Sequence, residues 1–298
     1  MKLLRSVLRA WPPVVLALAL LAIWQLYVQL GNVNPLILPA PLRILSATIS
    51  HSAVFRAHVG TTINETLVGL LVALACGVLT AAVVDLSPAL RRALYPLLVA
   101  SQAIPILAIA PLMIFWFGYG LLPKVVVVTL VCFFPITVSM ADGLSSTDPE
   151  LIKLYRTFGA GEFTIFWRVR LPHALPSFFS GLKIAATYSV IGAIFGEYVG
   201  AIYGLGVLLQ TELRSFRTDL LFGVVFITIL LSVALFALVS LIERIALPWY
   251  FAGGREHDWR EAGRRPKRRR AKQQTAFAPA PESAPAESLP KLHEEVIP

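Results

Sequence analysis

Charged side chains are scarce in this sequence of 298 residues. Asp, Glu, Lys and Arg make up 14% of it, whereas hydrophobic residues make up 57%. Soluble domains typically carry about 25% charged and about 45–50% apolar residues. The mean hydropathy of +0.73 agrees with this difference. The composition therefore excludes an ordinary soluble domain and predicts an all-α protein that crosses a membrane several times.

Motifs for enzyme chemistry are also missing. The sequence has no Walker A pattern, no H-E-x-x-H and no nucleophile elbow, and its five histidines are scattered through loops and tail. The only cysteines, Cys76 and Cys132, fall in apolar runs and are expected to be small buried side chains rather than metal ligands. We therefore expect no enzyme activity, no binding of ATP by this chain, no metal and no cofactor.

Charges near the middle of the apolar runs are lacking as well. A carrier driven by protons or sodium usually keeps an ionisable residue near the middle of the bilayer. The ionisable residues of the predicted spans all lie within a few residues of a predicted helix end: Glu65, Asp85, Lys124, Lys183, Glu197 and Glu243. This pattern disfavours an ion-coupled secondary carrier or channel, which stays open as the alternative function, as does a membrane scaffold.

Six apolar runs are long enough to cross a bilayer. The predicted spans are 12–30, 61–84, 93–116, 124–142, 176–199 and 219–247. Three prolines in the third span predict a kinked helix packed inside the protein. Glycine and alanine are dense in the fifth span, which predicts an interior helix.

Basic residues indicate the orientation of these spans. With the N-terminus inside, 21 of the 26 Lys and Arg residues lie on the cytoplasmic side, so both termini are predicted to be cytoplasmic. The membrane domain would cover residues 1–252. Residues 253–298 contain a basic run, 264–272, followed by a Pro/Ala/Glu-rich segment, and are predicted to be a disordered tail. The basic run is expected to contact membrane lipid, with RNA or protein as the alternative partner.

One polar stretch, residues 145–176, interrupts the apolar runs on the predicted cytoplasmic side. Asp148 followed by Pro149 predicts a helix start, and Gly159 predicts its end. Residues 160–170 predict a second short helix, which Pro172 is expected to break because proline lacks the backbone donor.

The second short helix is rich in aromatic residues and too short to cross a membrane. Phe163, Phe166 and Trp167 lie beside arginines. Such a helix can lie on the lipid headgroups, or it can enter an apolar groove of a soluble partner. The residues alone leave both interpretations open.

A spacing pattern in this stretch resembles a known family. Gly159-Ala160, Phe166, Val169 and Leu171-Pro172 follow G-A-x5-F-x2-V-x-L-P. This is similar to the cytoplasmic EAA loop of permease subunits in binding-protein-dependent ABC importers, and the likeness covers roughly residues 60–250. An arginine three residues before Gly159, here Arg156, resembles the pattern in one branch of the family. That branch carries nitrate, sulfonates, taurine and pyrimidine-type thiamine precursors. Lys153-Leu154-Tyr155 depart from the family's usual Glu-Ala-Ala.

The resemblance implies a fold, a location and partners. It implies a type I ABC importer-like bundle in the bacterial cytoplasmic (inner) membrane, and a chain that passes a small solute delivered by an external solute-binding protein. It also implies two permease chains, expected to be identical, and two ATPase subunits, without a nucleic-acid partner. The residues implied in contact with the ATPase are Arg156, Gly159, Ala160, Phe163, Phe166, Trp167, Val169, Leu171 and Pro172.

Polar residues on the third to fifth spans are candidates for the translocation path. They are Ser101, Gln102, Thr137, Ser139, Thr187, Tyr188, Ser189 and Glu197. A hydroxyl in a membrane helix more often bonds its own backbone, which is the alternative for each Ser and Thr. Glu197, near the predicted outer end, could meet the binding protein, gate the outer mouth or form an interfacial pair with Tyr198.

Overall fold

The computed structural model describes residues 2–253, and every regular element in that range is helical. The elements in chain order are α1 Lys2–Leu30, α2 Pro41–Ser50, α3 Ser52–Leu86, α4 Pro88–Ser101, α5 Ile106–Phe117, α6 Leu121–Ser145, α7 Pro149–Thr157, α8 Glu162–Ile165, a π-helical turn Phe166–Arg170, α9 Leu171–Glu197, α10 Leu205–Arg214, α11 Thr218–Ala246 and α12 Pro248–Gly253. Apart from Gly253, the predicted tail 253–298 lies outside the described residues. The predicted all-α membrane fold is confirmed.

Four helices in the described range, α3, α6, α9 with its preceding turn, and α11, are long and apolar enough to cross a membrane. The pair α4 and α5 adds a fifth candidate if it is counted as one bent span. The apolar part of α1, Val14–Leu30, is shorter. The six-span count and the cytoplasmic location of both termini therefore stay predictions.

The third predicted span, 93–116, is broken rather than kinked. The chain leaves helical structure after Ser101 and re-enters it at Ile106, and the two helices differ in direction by 97°. Pro105 is at the break, since proline disfavours a helical conformation in the residue before it. Pro96 and Pro111 remain inside α4 and α5.

The broken segment is also not packed inside this chain as predicted. On α4, Leu97 is 65% exposed, and on α5, Phe115 is 85% exposed. Trp116 and Phe117 at the end of α5 are exposed as well. A large apolar surface of α4 and α5 is therefore uncovered in the single chain.

Helix α9 is the interior helix that its small residues predict. Gly181 lies on the backbone of Pro135 in α6, and a Cβ added there would collide with Pro135 O and Ser139. Further along the antiparallel pair, Gly196 lies on Lys124, where an added Cβ would be 3.1 Å from Cα. The small residues let the two helix axes approach closely over their whole shared length.

Helix α3 runs parallel to α6 and completes the core. An added Cβ at Gly77 would be 2.8 Å from the side chain of Ile136. Cys132 is buried in this core, and its Sγ donates to Ala185 O at 3.2 Å. Cys76, by contrast, is exposed on the outer side of α3, so its predicted burial is not observed.

We predict that Gly181→Ala destabilises the protein, whereas Gly60→Ala does not. The added methyl group at Gly181 meets α6 backbone, and overpacking of this kind costs about 1–3 kcal/mol. At Gly60 an added Cβ would meet nothing within 4 Å, so the better helix propensity of alanine stabilises α3 by up to about 1 kcal/mol. Unfolding in mixed micelles measures both. Equal unfolding midpoints for the two variants would contradict the close packing of α9 on α6 at Gly181.

Candidate functional site

The polar stretch begins with a capped helix, as predicted. Asp148 Oδ1 accepts a hydrogen bond from Glu150 N at 2.9 Å, and α7 then runs from Pro149 to Thr157. Gly159, at φ +78°, turns the chain away from the end of α7. An added Cβ at Gly159 would meet nothing within 4 Å. Glycine is therefore favoured there by backbone conformation and not by lack of space.

An ion pair closes this turn from one helix to the next. Arg156 Nε and Nη2 both donate to Glu162 Oε1, at 3.1 and 2.7 Å. Arg156 is 58% and Glu162 72% exposed, so the pair contributes at most about 1 kcal/mol. Its effect is geometric, since it holds the end of α7 against the start of α8.

The predicted break at Leu171-Pro172 is not observed. From Glu162 the chain continues through α8, the π-helical turn and α9 without leaving helical structure. Leu171 N donates to Phe166 O, five residues back. Pro172 falls in the first turn of α9, where the wider π-helical turn before it accommodates the missing donor. The short helix is therefore a continuous extension of α9.

The aromatic residues of this extension point in different directions. Phe163 is 78% and Trp167 53% exposed, and their ring centroids are 6.1 Å apart. Phe166 is half-buried and packs on the core. The sequence groups the three together, but only Phe163 and Trp167 are exposed for a partner.

The remaining predicted loop residues anchor the extension. Val169 is buried, and Leu171 is half-buried against the same core as Phe166. Ala160 is half-buried. Pro172 lines a cavity of about 530 Å³ that also includes Tyr155, Arg168 and His173.

Sequence reasoning missed an exposed aromatic residue of the loop. Phe158, directly before Gly159, is 80% exposed. Leu151 and Leu154 on α7 are also exposed. The sequence signal for this exposure was the position of Phe158 directly before the glycine that ends α7. A side chain at such a turn has few neighbouring residues to pack against.

Among the predicted path residues, Ser101, Gln102 and Tyr188 are exposed. Ser101 and Gln102 lie at the break between α4 and α5, where they line a small cavity of about 50 Å³. Ser101 Oγ donates to Leu98 O at 2.7 Å, so its hydroxyl is already bonded to its own helix.

The other hydroxyl residues on the predicted path are less accessible. Thr137 and Ser189 are fully buried, and their hydroxyls donate to Phe133 O and Ala186 O, both at 2.7 Å. Thr187 is half-buried, and its hydroxyl donates to the carbonyl four residues back. Ser139 is half-buried beside Gly181. The hydroxyls of Thr137, Thr187 and Ser189 thus bond the backbone of their own helices, which is the alternative to a role in the path.

Glu197 is fully buried and fixes the start of α10. Its Oε2 accepts from Gly206 N at 2.6 Å, and its Oε1 accepts from the hydroxyl of Thr62 in α3. The Thr62 hydroxyl in turn accepts from Leu205 N at 2.9 Å. A carboxylate at a helix N-terminus is electrostatically favourable. Glu197 thus contacts neighbouring helices rather than an open mouth.

The other five ionisable residues singled out in the sequence take part in three ion pairs. Lys124 donates to Glu65, Lys183 to Glu243 at 2.9 Å, and Arg170 to Asp85 at 2.6 Å. Glu65 lies well inside α3, which begins at Ser52, and so differs from its predicted place near a helix end. Such pairing allows charges to be buried among apolar helices.

Comparison with known proteins assigns the chain to a family. Residues 73–250 match the family described as the inner membrane component of binding-protein-dependent transport systems. The formylaminopyrimidine transport permease protein ThiX of Halalkalibacterium halodurans is 39% identical over 81% of this chain and 96% of its own. The riboflavin transport system permease protein RibX of Chloroflexus aurantiacus is 34% identical over 80% of this chain and 91% of its own. The taurine transport system permease protein TauC of Escherichia coli is 26% identical over 78% of this chain and 86% of its own.

A solved structure establishes the fold. The MetNI methionine ABC transporter in an inward-facing conformation matches at a TM-score of 0.57 with 21% identity. The match covers 64% of this chain and 94% of that chain. This confirms the predicted likeness to type I ABC importers. With the match over residues 73–250, the chain belongs to the family of inner membrane components of binding-protein-dependent transport systems.

Proposed function

We propose that this permease subunit passes a small solute inward by using ATP hydrolysed on separate ATPase subunits, which dock at residues 145–176. The observation that carries the proposal is the pair of exposed rings, Phe163 and Trp167, on a short helix continuous with α9. Exposed aromatic side chains on a charged loop are typical anchors for an apolar groove in a protein partner.

The loop is connected to the centre of the bundle by a continuous helix. The chain is helical without interruption from Glu162 to Glu197. Val169 is buried and Phe166 packs on the core, so the loop cannot slide freely over the membrane domain. Movement of α8 is therefore expected to displace α9, which lies at the centre of the bundle.

The proposed path lies between two copies of the chain. In the single chain, the uncovered apolar surface of α4 and α5 includes exposed Ser101 and Gln102 at the break. A second copy would cover the apolar part and leave these polar groups, with Tyr188, at the boundary. An external solute-binding protein would deliver the solute, and the path itself would select only weakly.

The names of the relatives narrow the solute class. The relatives at 39% and 34% identity are permeases for formylaminopyrimidine and riboflavin, and one at 26% is a permease for taurine. We propose a pyrimidine-type heteroaromatic solute, with sulfonates such as taurine as the second candidate. The test is to measure uptake of labelled formylaminopyrimidine, riboflavin and taurine by cells with and without the gene. Uptake of taurine alone would overturn the first choice.

We predict that Gly159→Trp and Ala160→Glu leave the chain in the membrane but abolish transport. A side chain at Gly159 strains a backbone held at φ +78° by about 1–2 kcal/mol and alters the turn. At half-buried Ala160 a carboxylate would disturb the docking surface. Pull-down from native membranes in mild detergent, with mass spectrometry, measures retention of the ATPase.

The matched control is Gly161→Ala in the same loop. Gly161 has φ −73°, and an added Cβ would meet nothing within 4 Å, so this variant should retain the ATPase. If the unmodified chain is recovered without any ATP-binding subunit, a secondary carrier becomes the better explanation. Normal transport by both Gly159→Trp and Ala160→Glu would remove the coupling assignment.

A third prediction concerns the exposed rings. Replacing Phe163 or Trp167 by serine should weaken ATPase binding by about 2 kcal/mol, a factor of about 30, because aromatic anchors dominate such interfaces. Ile202→Ser is the control, since Ile202 is 82% exposed in the turn between α9 and α10, away from the loop. Titration of the purified permease with its ATPase measures the affinities. Equal affinities for all three variants would exclude a docking role for the rings.

A further inference from the structure

A buried ion pair joins the loop to a helix that is remote in sequence. Arg170 is the last residue of the π-helical turn, and its Nη2 donates to Asp85 Oδ1 at 2.6 Å. The Asp85 side chain is 9% and the Arg170 side chain 24% exposed. Asp85 is next to the last residue of α3, so the pair links the loop to the inner end of that helix.

This link differs from the other ion pairs of the loop. Lys153 pairs with Glu150 and Arg156 with Glu162, all within the loop and all well exposed. The loop is joined through the chain to α6 and to α9, which precede and follow it, but it can reach α3 only through space. The Arg170–Asp85 bond provides that contact.

Packing brings the same elements together. Phe166, the first residue of the turn, and Leu171, which directly follows it, pack against a buried cluster that includes Ala81 and Val84 of α3. Apolar packing resists separation of two helices but is not directional. A charge-assisted hydrogen bond is short and directional, so it also resists sliding and rotation.

The electrostatic setting makes Asp85 the principal partner of this guanidinium. Arg170 Nε is buried and lacks a hydrogen-bond partner among the described residues. Removing the carboxylate would therefore leave a partly buried positive charge without compensation. The resulting cost would favour movement of Arg170 away from α3.

We propose that the Asp85–Arg170 pair makes α3 follow the loop during the ATP cycle, with both residues acting as positioning residues. This inference rests on the proposed function, in which ATPase subunits move the loop. Displacement of the loop reaches α9 through the chain itself and reaches α3 through this ion pair. Without the pair, α9 moves and α3 stays behind.

Spin labels introduced one at a time can report the movement of α3 and the movement of α9 separately. The sample is the complex purified with its ATPase. One replaces Leu71 on α3 and the other replaces Ile184 on α9; both side chains are exposed. Cys76 and Cys132 are replaced by serine and alanine. The measurement is the change in the label's spectrum when the complex is trapped with ADP and vanadate.

In the otherwise unmodified chain we expect both labels to respond. In Asp85→Asn and in Arg170→Gln we expect the α3 label to lose its response and the α9 label to keep it. Exchanging the two residues, Asp85→Arg with Arg170→Asp, should restore the response of the α3 label. The control is Asp142→Asn, which breaks the exposed Arg91–Asp142 pair (2.9 Å) between α4 and α6 and should change neither response.

The contrary results distinguish failure of the ion-pair inference from failure of the proposed function. An unchanged response of the α3 label in Asp85→Asn overturns the inference while the proposed function stands. Failure of the single variants to accumulate in the membrane also overturns it, because the pair is then a requirement for folding. If the α9 label does not respond even in the unmodified chain, the proposed function fails, and the inference fails with it.

Discussion

Helix α9 can lie directly on α6 because small residues recur along the side that faces it. Apolar side chains gain little from leaving lipid for protein, so helices in a membrane associate through close contact of their surfaces. Gly181 near the middle of α9, and Gly192 and Gly196 toward its Glu197 end, bring α9 within van der Waals distance of α6, and Gly143 of α6 lies on Ala174 near the loop end. Every other element of the site depends on this contact, since α9 carries the loop at one end and Glu197 at the other.

Ion pairs and a carboxylate cap add directional contacts to the close packing of α9 on α6. Toward the loop end of the bundle, Arg170 meets Asp85 and Lys183 meets Glu243. Toward the other end, Lys124 meets Glu65, and Glu197 caps α10. Burying an unpaired charge is very unfavourable, whereas a paired one adds directional contacts. The pairs therefore fix which helices lie side by side and at what height along their axes.

Local signals made part of this structure predictable. The cap at Asp148, the turn at Gly159 and the interior position of α9 follow from residue types within one or two turns of helix, and all three are observed. The contacts of Glu197 were not predictable, because its partner Thr62 is 135 residues away in sequence. The break before Ile106 was underestimated for another reason: three prolines permit either a kink or a separation, and only tertiary packing decides between them.

The unbroken passage through Leu171-Pro172 has the largest consequence for mechanism. A helix that ended there would leave α8 as a separate piece on the membrane surface, able to tilt without moving the bundle. The π-helical turn instead accepts the proline and rotates Phe166 and Val169 toward the core, while Phe163 and Trp167 stay exposed. One continuous helical segment thus carries the exposed rings at one end and, in the bundle, the small residues that pack on α6. Displacement of these rings by a bound partner would therefore displace α9, around which the bundle is packed.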